Sequence, residues 1–150
     1  MSMTQIALPT PDGDARAFTF KPDSGAGPWP GVVFFMDAPA IRPALFDMSQ
    51  RIADHGYFVL LPDMFWRAGP YEPINVKEAF ADEAKRREIF GKLTGSTDAA
   101  KQTSDAGACL DYLAKQPEVR KGKVGVTGYC MGCGIVLRAA GTFPDRKSVV

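Results

Sequence analysis

The stretch VTGYCMGCG, residues 126–134, follows an apolar run and precedes a helical pattern. It supports three readings. Gly128-Tyr129-Cys130-Met131-Gly132 is a G-x-C-x-G turn, the sharp strand-to-helix bend that lifts a nucleophile to the rim of a sheet. Cys130-Met131-Gly132-Cys133 is a C-x-x-C pair, the spacing of dithiol redox chemistry. Thr127-Gly128 with Gly132 and Gly134 matches a T-G-x-x-x-G-x-G loop, which can approach a dinucleotide closely. The surrounding chain decides between them.

Working outward, GVVFFM (31–36) is apolar throughout, and YFVLLP (57–62) and KVGVTG (123–128) are mostly apolar. Such runs suit strands buried on both faces of a parallel sheet. TQIAL (4–8) and ARAFTFK (15–21) flank the turn-forming PTPDGD and predict a hairpin. Pro43 in a first turn, a stripe of Leu45, Met48 and Ile52, and a stop at Gly56 predict a helix. Further helices are expected near 76–91, at 97–116 and from 132 to 141. The second of these places Ala99, Thr103, Ala106, Leu110 and Leu113 on one face. Residues 64–75 read as an irregular loop, and KSVV (147–150) begins another strand.

Strand and helix alternate from residue 31 onward, so the expected fold is a single α/β domain over residues 1–150. Its sheet is mostly parallel and open, with helices on both faces. Ligands bind such sheets beyond the carboxyl ends of the strands. The 126–134 turn, the residues after 36 and those after 62 all follow strand ends, so three loops converge on one cleft.

Composition excludes several classes of partner. The 150-residue chain is 45% hydrophobic and 23% charged, with a net charge of +1, which gives no electrostatic reason to expect nucleic acid or an anionic membrane. The basic cluster EAKRRE (83–88) is interleaved with Glu and reads as a solvated helix face. No run approaches the ~20 apolar residues of a membrane span, and the N-terminus lacks the pattern of a secretory signal. Three cysteines, two of them close together, argue for a reducing compartment, and the cytoplasm is expected.

The dinucleotide reading fails on position, because such a glycine loop belongs after the first strand and needs an acidic residue ~20 positions later. Only sixteen residues follow Gly134. The dithiol reading leaves Gly128 and Gly132 without a role and reaches its pair 129 residues into the chain. Cys133 alone is accounted for as a small thiol in the first turn of a helix packed on the sheet. A zinc site would have to recruit Cys109 and His55, whose spacing is unsuitable, so neither metal nor cofactor is expected. The nucleophile turn explains both glycines, since residues at −2 and +2 must be small for strand and helix to approach. It also places a helix N-terminus where negative charge on sulfur or on an oxyanion would develop.

With that turn in place, the chain resembles the dienelactone hydrolase family of α/β-hydrolases, which uses cysteine where most relatives use serine. The likeness runs from about residue 13 to 150 and rests on GYCMG, on the strand ending VVFFMD, and on DHGYFVLLPDMFWR. It implies Cys130 as nucleophile, with Asp37 where the family usually has a glutamate in contact with the resting thiol. It implies the backbone amides of Ala38 and Met131 as the oxyanion hole, Pro39 having no N–H to offer. Arg67 matches an arginine that binds the substrate's carboxylate, and Phe65 and Trp66 would then wall the pocket. From the residues alone, Asp37 is equally suited to capping the following turn, and Asp63 to organising its own. Arg67 is also readable as an exposed loop residue, and Cys109 as a core thiol.

In this superfamily the order is nucleophile, acid, histidine. After Cys130 the chain has Asp145, which comes too early, and no histidine. His55, before Gly56, reads as a helix-terminal residue. The expectation is therefore the N-terminal portion of a longer hydrolase of small carboxylate-bearing esters or lactones, inactive alone and able to self-associate through an exposed sheet edge. Two alternatives stay open: a catalytically incomplete ligand-binding relative, and a dithiol redox protein.

Overall fold

The structure is a computed structural model that describes residues 2–149. Six strands form one sheet in the order β1-β2-β4-β3-β5-β6. The strands are β1 (Ser2–Thr10), β2 (Gly13–Lys21), β3 (Gly31–Phe35), β4 (Phe58–Pro62), β5 (Val124–Gly128) and β6 (Lys147–Val149). β4, β3, β5 and β6 run parallel, whereas β1 and β2 add an antiparallel hairpin at one edge. The helices are α1 (Pro43–Asp54), α2 (Val76–Ala81), α3 (Glu83–Gly95), α4 (Ala99–Lys115) and α5 (Met131–Thr142). A short 3-10 turn, Trp66–Ala68, interrupts the loop after β4. The predicted Val150 lies outside the described residues.

Register shows which face each helix covers. Phe20 pairs with Val59 and Val59 with Val32, so these three side chains share a face. Phe18 and Phe20 on that face meet Phe46 of α1, at centroid distances of 4.8 and 6.1 Å. Gly31, one residue out of phase, looks the other way, and a Cβ there would lie 3.5 Å from Leu113 of α4. Helices therefore cover both faces of the sheet, as the chain pattern predicts.

Two predicted elements differ in detail. The helix expected over 76–91 is two helices, because Asp82 turns its carboxylate onto the amides of Ala84 and Lys85 and caps a new start. On α4 the buried face holds Gln102 and Asp105 in addition to Ala106, Leu110 and Leu113, whereas Ala99 is exposed. Polar side chains are tolerated there because each is paired. Gln102 accepts from Arg138, and Asp105 from Arg67 and Trp66.

Buried carboxylates fix the loop after β4. Asp63 accepts from Arg16 through Nε and Nη2, from the Tyr71 hydroxyl at 2.6 Å and from the Phe65 amide. Burial beside this carboxylate pushes the Tyr71 phenol up. Four residues on, Arg67 makes a two-pronged pair with Asp105, at 2.7 and 2.9 Å, and also reaches Asp12 in the hairpin turn at 2.6 Å. Its guanidinium lies over the Trp66 ring at 4.4 Å. Removing one member of such a pair strands the other in a poorly solvated place. Arg67→Ala is accordingly expected to cost roughly 3–5 kcal/mol of stability, read by denaturant unfolding. A loss under about 0.5 kcal/mol, typical of an exposed loop residue, would contradict the pairing.

α5 approaches β3 so closely that two positions exclude any side chain. A Cβ on Gly132 would sit 2.4 Å from the Phe35 carbonyl oxygen, and one on Gly128 2.9 Å from the same atom. At Gly134, by contrast, it would meet only the end of Arg138, at 3.4 Å. Gly132→Ala is therefore expected to destabilise by about 3 kcal/mol or more. Gly134→Ala should be neutral or stabilising by up to about 1 kcal/mol through helix propensity. Equal effects at the two sites, in matched thermal melts, would contradict the packing.

Candidate active site

β5 ends at Gly128 and α5 begins at Met131, so the chain reverses direction within two residues. Cys130 takes the strain of that reversal, at φ 54° and ψ −116°, in a region that side chains avoid. Such a conformation costs of order 1–3 kcal/mol and persists only where packing enforces it. Here the glycine contacts with β3 enforce it. The result is an exposed thiol at the strand's carboxyl end, on a cleft of about 610 Å3 that Asp37, Ala38 and Pro39 also line.

The turn after β3 forms the facing wall. Asp37 and Arg42 form a two-pronged ion pair, at 2.5 and 2.8 Å, and Arg42 also donates to the Ala40 carbonyl. The pairing with Asp37 holds the Arg42 guanidinium above its ordinary range. The Ala40 amide in turn donates to the Asp37 carbonyl, and Ala40 sits at φ 65°. This staple holds the turn closed. Neither the Ala38 nor the Met131 amide has an acceptor among the described residues, and Met131 opens a helix whose first N–H groups are free by geometry. The cleft is thus lined by the Cys130 thiol and by Ala38, and the unengaged Met131 amide follows Cys130 directly in the chain.

The structure brings Cys130, Asp37 and Ala38 to one cleft, with Met131 next to Cys130 in the chain but not among the lining residues, and it does not bring the other predicted residues there. The hydrogen bonds of Asp37 go to Arg42, and none joins it to the Cys130 thiol. Arg67 is corrected: its guanidinium is paired with Asp105 and Asp12 and is not a cleft residue. Strand order explains this, since β4 lies between β3 and the hairpin, and the loop after it is drawn toward the hairpin turn and α4. Phe65 is fully buried in the core and Trp66 donates to Asp105, so neither walls the cleft. A ligand role for Arg67 loses its basis with that pairing.

Other residues fall as their local chemistry dictates. Asp63 organises its own turn through the Phe65 amide. His55 caps α1, with Nδ1 donating to the Arg51 carbonyl at 2.7 Å. Cys109 is a core thiol, and burial pushes its proton affinity up. Cys133 is exposed, not packed on the sheet, and its thiol donates to the Gly128 carbonyl. Among the described residues no group of three His, Cys, Asp or Glu could hold a metal ion, and no helix is long and apolar enough to cross a membrane.

Five cleft residues escape the sequence reading. Phe80, Arg86, Arg87, Phe90 and Thr94 line the cleft together with Cys130, and the two rings meet at 6.2 Å. In one continuous helix, ten residues would separate them by about 15 Å along the axis, so the break at Asp82 is what brings them together. Treating EAKRRE as one solvated block hides Arg86. Pair by pair, Arg87 has Glu83 four residues before it, at 2.7 Å, whereas the residue four before Arg86 is the capping Asp82. That mismatch was the available signal.

Comparison with known proteins gives a consistent picture. A carboxymethylenebutenolidase of Pseudomonas putida is 28% identical over 120 residues, covering 79% of this chain and 48% of its own. A dienelactone hydrolase-like promiscuous phosphotriesterase from metagenomic libraries superposes with a TM-score of 0.66 at 28% identity, over 95% of this chain and 55% of that one. The α/β-hydrolase GrgF of a Penicillium species superposes at 0.71 with 20% identity, over 99% of this chain and 45% of that one, and shares the fold. The chain spans about half the length of the curated relatives it matches. The dienelactone hydrolase family profile matches residues 15–150, and by that match the chain belongs to the dienelactone hydrolase family.

Proposed function

We propose that Cys130 is the nucleophile of a hydrolase acting on small carboxylate-bearing esters or lactones. The observation that carries this reading is the strained elbow, an exposed thiol at positive φ that lines a cleft together with Ala38 and opens a helix at Met131, the Ala38 and Met131 amides having no acceptor among the described residues. In the reaction, the Cys130 thiolate adds to the ester carbonyl carbon and the carbonyl π electrons move onto oxygen. The amides of Ala38 and Met131 donate to that oxyanion, a contribution of roughly 3 kcal/mol of barrier per donor. Collapse breaks the bond from the carbonyl carbon to the alcohol oxygen, which takes a proton from water, and leaves a thioester on Cys130. For a lactone the expelled alkoxide stays on the same molecule. Water then cleaves the thioester, giving the acid and the thiol.

In this reading Asp37 is a positioning residue. Its pair with Arg42 closes the turn that presents the Ala38 amide, so Asp37→Asn should slow acylation without moving the label. The only histidine, His55, caps α1 and does not line the cleft, so the described residues support acylation more directly than the hydrolytic step.

A second reading has one observation behind it, because Cys130 and Cys133 are both exposed at the start of α5. One experiment separates the two. A p-nitrophenyl ester with a free carboxylate should release one equivalent of nitrophenolate and add one acyl group to Cys130. Cys130→Ala should abolish both events, and Cys133→Ala should leave them intact. Acyl groups found on Cys133 alone, or loss of two thiols to a Cys130–Cys133 disulfide under mild oxidation without acylation, would overturn the nucleophile assignment.

A further inference from the structure

The nucleophile turn uses only one sulfur of the C-x-x-C pair that opens α5, and Cys133 has no part in ester chemistry. Cys130 and Cys133 are both exposed, whereas Cys109, the remaining cysteine, is fully buried in the core. The Cys133 amide donates to the Cys130 carbonyl at 3.1 Å. That bond across three residues closes one turn and keeps the two α-carbons within about 7 Å. Disulfides span about 4.4–6.8 Å between α-carbons, so the pair stands at bridging range. Direction agrees with distance. Side chains on a helix lean toward its N-terminal end, and the Cys133 thiol donates to the carbonyl of Gly128, the last residue of β5. Its sulfur is thereby turned back toward the elbow that carries Cys130.

We infer that Cys133 is the resolving thiol of a redox switch on the Cys130 site: a hydroperoxide oxidises Cys130, and Cys133 captures the product as a reversible disulfide. This rests on the reading of Cys130 as the nucleophile and adds regulation to it. The Cys130 sulfur, having given up its proton, takes the terminal oxygen of the peroxide. The O–O bond breaks, an S–O bond forms, and the departing alkoxide, or hydroxide from hydrogen peroxide, takes up a proton. Sulfur is oxidised by two electrons to a sulfenic acid, and the peroxide is reduced. The Cys133 sulfur then attacks the Cys130 sulfur. An S–S bond forms, the S–O bond breaks, and the hydroxyl leaves with the Cys133 proton as water. Small thiols reduce the bridge and end as their own disulfide. Without a second thiol, further peroxide carries the sulfenic acid to a sulfinic acid, which small thiols do not reverse. A neighbour one turn away makes loss of the nucleophile temporary.

The reduced full chain is treated with hydrogen peroxide, and catalase removes the excess. Peptide mass mapping follows the cysteines, and acylation by the p-nitrophenyl ester is measured in parallel. The wild type should form a Cys130–Cys133 bridge within one molecule, keep Cys109 as a thiol and lose acylation by more than about tenfold, because a bridged sulfur is no thiolate. Dithiothreitol should return acylation to within about twofold of the starting rate. Cys133→Ser keeps a hydroxyl donor for the Gly128 carbonyl and should acylate within about twofold of the wild type before oxidation. After peroxide it should carry a sulfinic acid on Cys130, and dithiothreitol should restore less than about a tenth of its rate. Cys133→Ala should follow Cys133→Ser, which separates the thiol from the hydrogen bond. Wild-type Cys130 oxidised while Cys133 remains a thiol, a bridge that includes Cys109, or recovery of either variant as complete as the wild type's would overturn the inference. Failure here is distinct from failure of the acylation experiment. A reversible bridge in a chain that never acylates removes the nucleophile reading and leaves the dithiol chemistry. Acylation of Cys130 without a bridge removes the switch and leaves the nucleophile.

Discussion

The contact on which the rest depends is the approach of Gly132 to the carbonyl of Phe35. A hydrogen in place of a side chain lets the first turn of α5 rest directly on the end of β3. Because β3 and β5 are neighbours in the sheet, this closeness forces the chain to turn between Gly128 and Met131 with no room for a relaxed loop. Cys130 is the residue left at the apex. The same contact sets the end of β3, and hence the Asp37–Ala40 turn, against the start of α5. A single backbone-to-backbone approach thereby brings the turn that carries Ala38 up to the helix start that carries Cys130 and Met131.

Around this rim the arginines have divided tasks. Arg16 and Arg67 each neutralise a buried aspartate and anchor the loop after β4. Arg42 closes the turn that faces Cys130. Arg86 and Arg87 stand on the cleft wall, Arg86 half-buried near Phe80 and Arg87 exposed beside Glu83. Burial explains the division, since a carboxylate enclosed by protein holds a guanidinium more firmly than an exposed one does.

Much of this was legible in the chain itself. The apolar runs 31–36, 57–62 and 123–128 marked the parallel strands, because burial on both faces removes the polar alternation an exposed strand needs. The glycines at −2 and +2 marked the elbow, because the constraint is local and steric. The side-chain partners of Arg67 were not legible. Asp12 and Asp105 are 55 and 38 residues away from it, and only the strand order brings the hairpin turn, α4 and the loop after β4 together. The cleft wall was hidden for another reason. Phe80 and Phe90 meet only because one aspartate prefers capping to continuing a helix, and helical periodicity alone predicts one rod through 76–91. Cys133 is exposed against the general tendency of thiols to be buried, and its thiol donates to the Gly128 carbonyl.

The most direct measurement is a crystal structure of the chain treated with a trifluoromethyl ketone, which captures a nucleophile as a tetrahedral adduct. The account predicts a bond from Cys130 Sγ to the former carbonyl carbon, with the adduct oxygen about 3 Å from the amide nitrogens of both Ala38 and Met131. An adduct on Cys133, or one on Cys130 whose oxygen points away from both amides into solvent, would contradict it.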